Sequence, residues 1–581
     1  MKKVIAILLV ALLVASCATT AFASETYEGI GNGKNGPVKV SVTLDAGKIT
    51  DVTVLDQAET VGVADGALEK IPSEIVQTQS VAVDAVTGAT MTSAAIIEAV
   101  EDCLRQAGED VSSWQVAVDE AVVEKETVQL TTDVVVIGAG ISGLSTAISA
   151  KTNGADVIVV EKLNRTGGSA MFCSGNFASY NTTSEKEQGI EDSLELALQH
   201  WEERQAQSIE DMGTINYDRV AYILPETAKT IDWYTSLGVE YEPSTAPKFA
   251  SLSTTRVVGR GAGMVKAVTE IAESLGVDIR LSTPATSLIV EDGKVVGVIA
   301  ENDTQILEIR SNSIVLATGG FGADHDEVSE KVPLYSKAIS LASAGNTGDG
   351  IEMALAAGAV EYPSPWVIPY TIQPAAEIKA QVPEAAILTD NRHNGIFADK
   401  AVVNENGERF VDESQQYSVV SINLAYSTYE NYLILDSTDE EVANIMDQCL
   451  DTGKVFKGET LEELAASASI GDALVETIAK YNADAETGDT LFGKSADKMT
   501  AYAETGPYYA VCYYPGMTGT FGGVVTDFEG HVLNADGDVI EGLYAVGEMS
   551  NREYFNQTYM GAASVSFSST MGRLVGELVA K

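Results

Sequence analysis

Three glycines in the first third of the chain stand at a spacing that carries chemistry. Gly138, Gly140 and Gly143 follow directly after an apolar run at residues 134–137, and a G-x-G-x-x-G turn after a buried strand is typical of dinucleotide binding. The first two glycines permit a tight turn and close approach to a pyrophosphate. The third lets the next helix pack on the strand with its N-terminus towards the phosphates. A second apolar run ends at Glu161, which is placed to accept hydrogen bonds from a ribose.

A further glycine loop follows this acidic residue. Thr166, Gly167, Gly168 and Ser169 come a few residues after Glu161. Glycine triplets also occur in ordinary turns, so the cofactor is favoured by the complete order of strand, turn, helix, strand and acid. The extra loop separates FAD proteins from plain NAD dehydrogenases, and we therefore expect non-covalently bound FAD.

The composition limits the classes of partner. The chain has 581 residues, enough for about three or four domains, and its 84 acidic against 36 basic residues give a net charge of -48. Such a chain repels nucleic-acid phosphate and anionic lipid, so neither is an expected partner. The five cysteines form no C-x-x-C pair and the four histidines are scattered, which predicts no metal or haem site.

The N-terminus has the features of a targeting segment over residues 1–24. Two lysines precede an apolar run at residues 4–14 that is too short to span a bilayer. Cys17 ends a lipobox-like sequence, which predicts lipidation there, while residues 21–23 offer an ordinary cleavage site instead. We expect an exported protein of the cell envelope, either lipid-anchored to the outer face of the membrane or periplasmic.

Residues 25–108 are predicted to form a small α+β domain. Residues 38–44 and 49–55 alternate like paired strands, and residues 93–106 have helical periodicity. Between them lies DAVTGATMT, which resembles the D-x-x-[ST]-G-A-T motif of the FMN-binding domain family. The resemblance implies that Thr90 carries FMN through a phosphoester bond made by a flavin transferase. The plain alternative is a turn followed by a helix N-cap. A polar linker is predicted at residues 109–130.

Three more glycine-containing segments, between residue 316 and residue 548, resemble parts of known flavoproteins. Residues 316–322, 346–350 and 542–548 resemble the FAD-dependent fumarate reductase and succinate dehydrogenase flavoprotein superfamily. The resemblance implies an α/β fold, in which a Rossmann-like FAD-binding domain receives an inserted α+β capping domain and follows the small FMN-binding domain. The FAD-binding domain is expected at residues 131–361 and 519–581, and the capping domain at residues 362–518.

The same resemblance implies a set of FAD contacts at the glycine loops, the strand ends and the start of the last helix. These residues are Gly138, Ala139, Gly140, Gly143, Glu161, Lys162, Gly167, Gly168, Ser169, Gly175, Ala285, Gly319, Asp349, Glu548, Ser564 and Val565. Asp349 and Glu548 are expected to hold the adenosine and ribityl parts of the flavin. The capping domain is expected to close over the isoalloxazine ring and exclude water from hydride transfer.

The chain departs from the superfamily where its members bind short carboxylates. Those members hold the charge of the substrate with arginines and use another arginine as proton donor. At the matching positions this chain has Tyr559 and Tyr417, and the family's histidine falls at about Gly519. Because a buried carboxylate without a cationic partner is strongly disfavoured, the pattern predicts an uncharged acceptor.

Both tyrosines resemble those of the 3-ketosteroid dehydrogenase branch. Residues 409–417 follow its R-F-x-N-E-S-x-x-Y pattern with Asp412 for the usual asparagine, and residues 558–563 follow T-Y-x-G-x-G with Ala563 for the last glycine. The branch implies that Tyr417 protonates the α-carbon while Tyr559 and the amide of Ala563 hydrogen-bond the ketone oxygen. The alternative is that both tyrosines are packing residues. The segment PYYAVCYYPG at residues 507–516 contains four tyrosines that are expected to be packing residues, namely Tyr508, Tyr509, Tyr513 and Tyr514.

These features predict an extracytosolic reductase of α,β-unsaturated ketones, such as 3-oxo-Δ1 or 3-oxo-Δ4 steroids. A membrane electron donor would reduce FMN, which would pass electrons to FAD, and a small apolar enone would be the substrate. Two alternatives stay open. One is a fumarate- or urocanate-type enoate reductase with arginines recruited from Arg260, Arg392 or Arg552, and the other is a flavin electron carrier without a small-molecule substrate.

Overall fold

The computed structural model describes residues 24–33, 36–59, 64–86, 89–116, 125–389 and 398–581. The predicted targeting segment, including Cys17, and Arg392 lie outside these residues. The chain divides into two compact units, Met1–Ala121 and Val122–Lys581. Among the helices of the described residues, none is both long and apolar enough to cross a bilayer.

The first unit is an antiparallel sheet covered by two helices. Strands β1 (Glu25–Asn32), β2 (Pro37–Asp45) and β3 (Lys48–Asp56) pair in that order, and helices α1 (Asp65–Thr78) and α2 (Thr90–Gln106) follow. Alternate residues of β2 are buried, as expected for a sheet with one covered face. Both predicted strands and the predicted helix are therefore confirmed. The helix begins at Thr90, three residues earlier than its apolar periodicity indicated.

The second unit is built around a mostly parallel sheet. Its strand order is β20-β21-β13-β5-β6-β9, and only β20 runs antiparallel to its neighbour. The strands are β5 (Val134–Ile137), β6 (Val157–Val160), β9 (Asp278–Arg280), β13 (Ser313–Leu316), β20 (His531–Leu533) and β21 (Val539–Ala545). All four residues of β5 and of β6 are buried, because helices or other strands cover both faces of a parallel sheet.

A second sheet in this unit includes the end of the predicted linker. Strands β10 (Ala285–Glu291), β11 (Lys294–Glu301) and β12 (Gln305–Arg310) form a meander, and β4 (Glu126–Thr131) pairs with β12 in parallel. The end of the predicted linker at residues 109–130 is thus a strand of the second unit. A short hairpin, β7 (Asn176–Ser179) and β8 (Ser253–Arg256), completes this part.

The remaining strands form the sheet of the capping region. The path β14-β19-β17-β16 is joined by β15 and β18, which both pair with β19. The strands are β14 (Ile339–Ser340), β15 (Trp366–Pro374), β16 (Val402–Asn404), β17 (Asn431–Asp436), β18 (Val455–Gly458) and β19 (Tyr508–Phe521). This region has its own hydrophobic core. The capping domain was expected at residues 362–518, but its sheet extends beyond both limits. β14 lies before residue 362, and β19 continues past residue 518.

Thirteen helices of the described residues belong to the second unit, and two of them connect its ends. They are α3 (Ile141–Thr152), α4 (Thr183–Glu187), α5 (Leu194–Gln205), α6 (Tyr217–Ser236), α7 (Arg260–Ser274), α8 (His325–Lys331), α9 (Asp349–Ala356), α10 (Ala376–Gln381), α11 (Tyr417–Tyr426), α12 (Glu440–Gln448), α13 (Leu461–Ala468), α14 (Ala473–Asp484) and α15 (Ala563–Val579). Helix α15 packs closely on α3, since a Cβ at Gly572 would lie 2.3 Å from the Ser142 carbonyl oxygen.

Candidate functional site

The glycine turn after β5 has the shape that a pyrophosphate requires. Gly138 has a φ of 104°, and a Cβ there would lie 2.4 Å from the carbonyl oxygen of Ala317. A Cβ at Gly143 would lie 1.9 Å from the carbonyl oxygen of Gly138, so only glycine allows α3 to start this close to the strand. Gly140 precedes α3, whose N-terminal amides face the turn. The residues present therefore fit a bound dinucleotide.

Glu161 lies at the end of β6, where the ribose of FAD would bind. The Ala139 amide donates to one of its carboxylate oxygens at 2.7 Å, and the Leu163 amide donates to the other at 2.8 Å. Burial nevertheless raises the pKa of this carboxyl. The Thr283 amide donates to the Glu161 carbonyl oxygen at 2.8 Å, which brings the chain just before Ala285 to the same end of the sheet.

The second glycine loop lies beside the first. Gly167 bridges to Gly140 and its amide donates to the Ala139 carbonyl oxygen at 2.8 Å. A Cβ at Gly168 would meet the Cα of Gly140 at 3.4 Å. The hydroxyl of Ser169 accepts from the Ser343 amide at 3.0 Å. The structure thus brings together two loops that the sequence predicted separately.

Lys162 and Asp349, both expected to contact FAD, form an ion pair. The Lys162 ammonium donates to the Asp349 carboxylate at 2.6 Å and to the Thr347 hydroxyl at 2.5 Å. Asp349 is the first residue of α9, where a carboxylate is stabilised by the helix dipole. Gly175 has a φ of 73°, and a Cβ there would overlap the backbone of Arg260.

Glu548, expected at the ribityl part of FAD, is a buried carboxylate beside β19. Its carboxylate accepts from the Thr520 amide at 3.2 Å and from the Asn346 side chain at 3.4 Å. Burial raises its pKa to about 7. A Cβ at Gly519 would lie 2.5 Å from this carboxylate, so the position where the family has histidine leaves no room for a side chain. Gly319 has a φ of 80° and packs against Asn346.

The start of α15 departs from the expected substrate contacts. The Ser564 amide donates to the Tyr559 hydroxyl at 3.2 Å. The Ala563 amide, expected to bind the ketone oxygen, instead donates to the Met560 carbonyl oxygen at 3.1 Å inside the turn. Val565 follows on the first turn of the helix. In this structure the backbone donor nearest to Tyr559 is therefore that of Ser564.

Tyr417 and Tyr559 are brought to the same place, although they belong to different segments. A Cβ at Gly561 would lie 3.7 Å from the Tyr417 hydroxyl, and Tyr370 from β15 packs its ring 5.0 Å from that of Tyr417. Burial raises the pKa of the Tyr417 hydroxyl far above its ordinary value, and the Tyr559 and Tyr370 hydroxyls raise it further. Burial likewise raises the pKa of Tyr559. Both phenols therefore stay protonated at neutral pH.

A buried charge network fixes the loop that leads into Tyr417. Arg409 donates from two nitrogens to Glu413 at 2.8 Å each and from a third to Asp489 at 2.9 Å. The ammonium of Lys494, which is fully buried, donates to Glu413 at 2.9 Å. Two positive and two negative groups thus compensate one another, and together they hold the N-terminus of α11 in position.

Sequence reasoning missed three side chains near the tyrosines, namely Arg204, Tyr370 and Cys173. Arg204, in the last turn of α5, is a buried residue whose charge opposes the raised pKa of Tyr417. The Cys173 thiol and the Tyr370 hydroxyl raise the pKa of Tyr559 further. These residues come from elements far apart along the chain, and a local motif carried no signal for them.

Of the other arginines proposed for a carboxylate, Arg260 and Arg552 lie in the described residues. Arg260 begins α7 with a φ of 58° and an exposed side chain. Arg552 is buried and donates to the backbone carbonyls of Ser364, Phe555 and Asn556. Burial lowers its pKa to about 10.

The tyrosines of β19 pack as predicted. All four rings are buried, and each hydroxyl donates to a cap-region oxygen. The pairs are Tyr508 to Ala503, Tyr509 to Asp447, Tyr513 to Leu388 and Tyr514 to Glu430.

In the first unit, Thr90 is the exposed first residue of α2. Thr92, one position beyond Met91, is buried and donates to the buried carboxylate of Glu59. An exposed hydroxyl at a helix N-terminus is accessible to a modifying enzyme, and the N-terminal amides favour a phosphate there. The expected attachment residue therefore has suitable surroundings.

One group of possible metal ligands occurs in the described residues, at a turn of the FAD unit. Asp527, Glu529 and His531 place one ligand atom each within 4.8 Å of one another. The Asp527 carboxylate already accepts from the amides of Glu529 and His531, and it lies 2.7 Å from the His531 ring nitrogen. These bonds account for the cluster as a stabilised turn.

The paired glycine loops, the acidic strand end and the inserted cap define a flavoprotein oxidoreductase. Residues 133–564 match the FAD binding domain family, and residues 33–105 match the FMN-binding domain family. The chain belongs to the FAD-binding family of fumarate-reductase-like flavoproteins, and its N-terminal unit is an FMN-binding domain. It is an FAD-dependent oxidoreductase with both flavins as cofactors, and its relatives are reductases of C=C bonds.

Three relatives illustrate the match. The fumarate reductase (cytochrome) of Shewanella frigidimarina is 30% identical over 78% of this chain and 77% of its own length. The urocanate reductase of Eggerthella lenta is 29% identical over 95% of this chain and 92% of its length. The NADH:acrylate oxidoreductase of Vibrio harveyi is 29% identical over 96% of this chain, which spans only 61% of that longer protein.

Solved structures agree on the fold. A flavocytochrome c3 fumarate reductase in its open conformation is 26% identical, with a TM-score of 0.59 over 78% of each chain. The 3-ketosteroid Δ1-dehydrogenase of Sterolibacterium denitrificans is 21% identical, with a TM-score of 0.65 over 78% of this chain and 99% of that one. The latter likeness concerns the fold alone.

Proposed function

We propose that this protein reduces the C=C bond of an uncharged α,β-unsaturated ketone. The observation that supports this proposal is the convergence of Tyr417 and Tyr559, the two positions at which the resemblance implies arginines in members with carboxylate substrates. The ring of Tyr370 packs against that of Tyr417. Phenols provide hydrogen bonds and a proton but no positive charge, so they suit a neutral carbonyl.

Reduced FAD, when bound, supplies a hydride for the β-carbon. The Tyr417 hydroxyl gives its proton to the α-carbon, and a buried phenol is suited to this step because it stays protonated at neutral pH. The Tyr559 hydroxyl accepts from the Ser564 amide, so its own O–H proton is left to donate to the ketone oxygen. That hydrogen bond strengthens as negative charge accumulates on the oxygen.

We further propose that the first unit supplies the electrons. FMN, joined to Thr90 by a flavin transferase, would receive electrons from a membrane donor and pass them to FAD. The family match to an FMN-binding domain and the exposed Thr90 support this route. The targeting signal supports an exported enzyme, held at the outer face of the membrane by a lipid on Cys17 or released into the periplasm.

A second candidate is an enoate reductase. The relatives are named for acrylate, urocanate and fumarate, which are all carboxylates, and these names favour the enoate alternative over the ketone and give the steroid no support. Arg204 is a buried cation near Tyr417 that could pair with such a group. The two candidates differ in one property, the charge of the acceptor.

Matched acceptors test this difference. The holoenzyme, reduced with a viologen, is assayed with 4-phenyl-3-buten-2-one and with cinnamate, which share a styryl group, and with a 3-oxo-Δ4 steroid. We expect kcat/KM to be at least about tenfold higher for a ketone, as one desolvated charge without a dedicated clamp costs more than 1.4 kcal/mol. Turnover of cinnamate alone would refute the enone proposal. Flavin reoxidation by partner proteins but by no alkene would indicate an electron carrier.

Tyr417→Phe tests the proton donor. We expect kcat to fall by about 10² to 10⁴ with little change in KM, the range typical of a lost general acid. Tyr514→Phe is the matched control, because it removes a different cap-region hydroxyl that bonds Glu430. Unchanged kcat in the Tyr417 variant would remove that residue from the mechanism.

A further inference from the structure

A hydrogen bond between Gln557 and Tyr426 joins the capping region to the segment that carries Tyr559. The side-chain amide nitrogen of Gln557 donates to the Tyr426 hydroxyl at 2.8 Å. Gln557 lies two residues before Tyr559. Tyr426 is the last residue of α11, which begins at Tyr417. This bond therefore connects the two elements on which the tyrosines of the site are carried.

The side chain of Gln557 is fixed in one orientation. Its carbonyl oxygen accepts from the backbone amides of Ile209 and Glu210 at 3.0 Å each, and the residue is fully buried. Two N–H groups can be satisfied by the oxygen of a side-chain amide but not by its nitrogen. The nitrogen therefore points away from residues 209 and 210, towards Tyr426.

The segment around Gln557 is a rigid base for this contact. Each of the three residues before Tyr559 is hydrogen-bonded to the end of α5 or to the loop after it. The pairs are Asn556 with Gln205 at 2.8 Å, Gln557 with Ser208 at 3.2 Å and Thr558 with Arg204 at 2.8 Å. The position of Tyr559 is thus set by bonds on the α5 side of the site.

Helix α11 rests on β15 through aromatic rings at both of its ends. The ring of Tyr370 lies 5.0 Å from that of Tyr417, and the ring of Trp366 lies 6.5 Å from that of Tyr426. Aromatic pairs tolerate centroid separations of about 4.5–7 Å, so ring packing restricts sliding along the strand only weakly. The bond to Gln557 adds a directional contact between α11 and the segment that carries Tyr559.

We propose that Gln557 and Tyr426 are positioning residues that set where Tyr417 lies relative to Tyr559. The proposal rests on the proposed function, in which Tyr417 is the proton donor. Helix α11 has ten residues, and at about 1.5 Å of rise per residue its two end tyrosines are about 14 Å apart along the axis. The Tyr426 hydroxyl therefore acts through the helix. A displaced proton donor loses rate steeply, because the transfer requires hydrogen-bond distance.

Hydrogen exchange tests the effect on α11 without substrate. In the full-length holoenzyme, the amides of residues 417–426 are followed by mass spectrometry in the natural chain and in Tyr426→Phe. We expect about fivefold faster exchange in the variant, as one hydrogen bond that holds the helix is lost. Tyr432→Phe is the matched control, because its hydroxyl bonds the Ala468 carbonyl oxygen within the capping region. Unchanged exchange in Tyr426→Phe would overturn the proposal.

Kinetics show whether the bond acts through Tyr417. We expect Tyr426→Phe to lower kcat for the ketone about tenfold with KM nearly unchanged, and Tyr432→Phe to leave kcat as it is. In the Tyr417→Phe background, Tyr426→Phe should have no further effect, because no proton donor is left to position. The same loss in both backgrounds, or none in either, would overturn the proposal. If the natural chain reduces no alkene, the proposed function fails, while hydrogen exchange still decides whether the bond fixes α11.

Discussion

Replacing Glu548 with glutamine should stabilise the flavin-free protein at neutral and alkaline pH. The pKa of this carboxyl is raised by burial to about 7, from an ordinary value of 4.5. The folded chain therefore prefers the protonated form. The stability associated with that form is fully present below pH 4.5 and is lost as the pH rises through 7. At about 1.4 kcal/mol per pKa unit, the loss approaches about 3.5 kcal/mol.

The assay is urea unfolding of the flavin-free protein at pH 5 and at pH 8, followed by tryptophan fluorescence. Glutamine has the shape of the neutral acid and does not titrate, so the difference between the variant and the natural chain should grow from about 0.8 kcal/mol at pH 5 to about 3.3 kcal/mol at pH 8. Glu541→Gln is the control, since Glu541 on β21 is exposed and pairs with Lys294.

A difference that is the same at both pH values would refute the reasoning. It would mean that the Glu548 carboxylate is solvated in the folded chain and that the Thr520 amide and the Asn346 side chain fully compensate its charge. Retention of the pH-dependent difference in the FAD-bound protein would show that the flavin leaves this carboxyl as buried as before.

Three further predictions concern separate parts of the chain. Thr90→Ala should abolish flavin fluorescence in a denaturing gel after coexpression with a flavin transferase, whereas Thr92→Ala should keep it; the reverse result would move the attachment site. Gly143→Ala should yield protein depleted of FAD, because its Cβ would overlap the Gly138 carbonyl oxygen, and a normal FAD-to-protein ratio would contradict this. Lys494→Met leaves Glu413 partly uncompensated and should lower the unfolding free energy by about 3–5 kcal/mol; an unchanged urea midpoint would contradict it.

The dinucleotide turn could be predicted from sequence because its constraints are local. Gly143 must be glycine because its Cβ would overlap the Gly138 carbonyl oxygen of the same turn, and Gly138 has a positive φ that favours glycine. The two tyrosines could be predicted because each lies in a recognisable segment. Their neighbours Arg204 and Tyr370 could not, since only the tertiary fold brings α5 and β15 to α11.

The errors have the same physical origin. β4 appeared to be a linker because it is polar and partly exposed, and its partner β12 lies far along the chain. The Ala563 amide was expected to bind substrate, but the turn before α15 uses it for the Met560 carbonyl oxygen. A sequence pattern indicates which residues are close in a motif, but it does not indicate which backbone amides are already hydrogen-bonded within a turn.

The pairing of β21 with β13, and of α15 with α3, makes the order of synthesis matter. While the ribosome is still adding the cap, β13 is an edge strand with unpaired backbone groups, and α3 lacks the helix that later covers it. Both are covered only once β21 and α15, which follow the cap in the chain, have been translated. A chain truncated before β21 should therefore aggregate rather than yield a shortened enzyme.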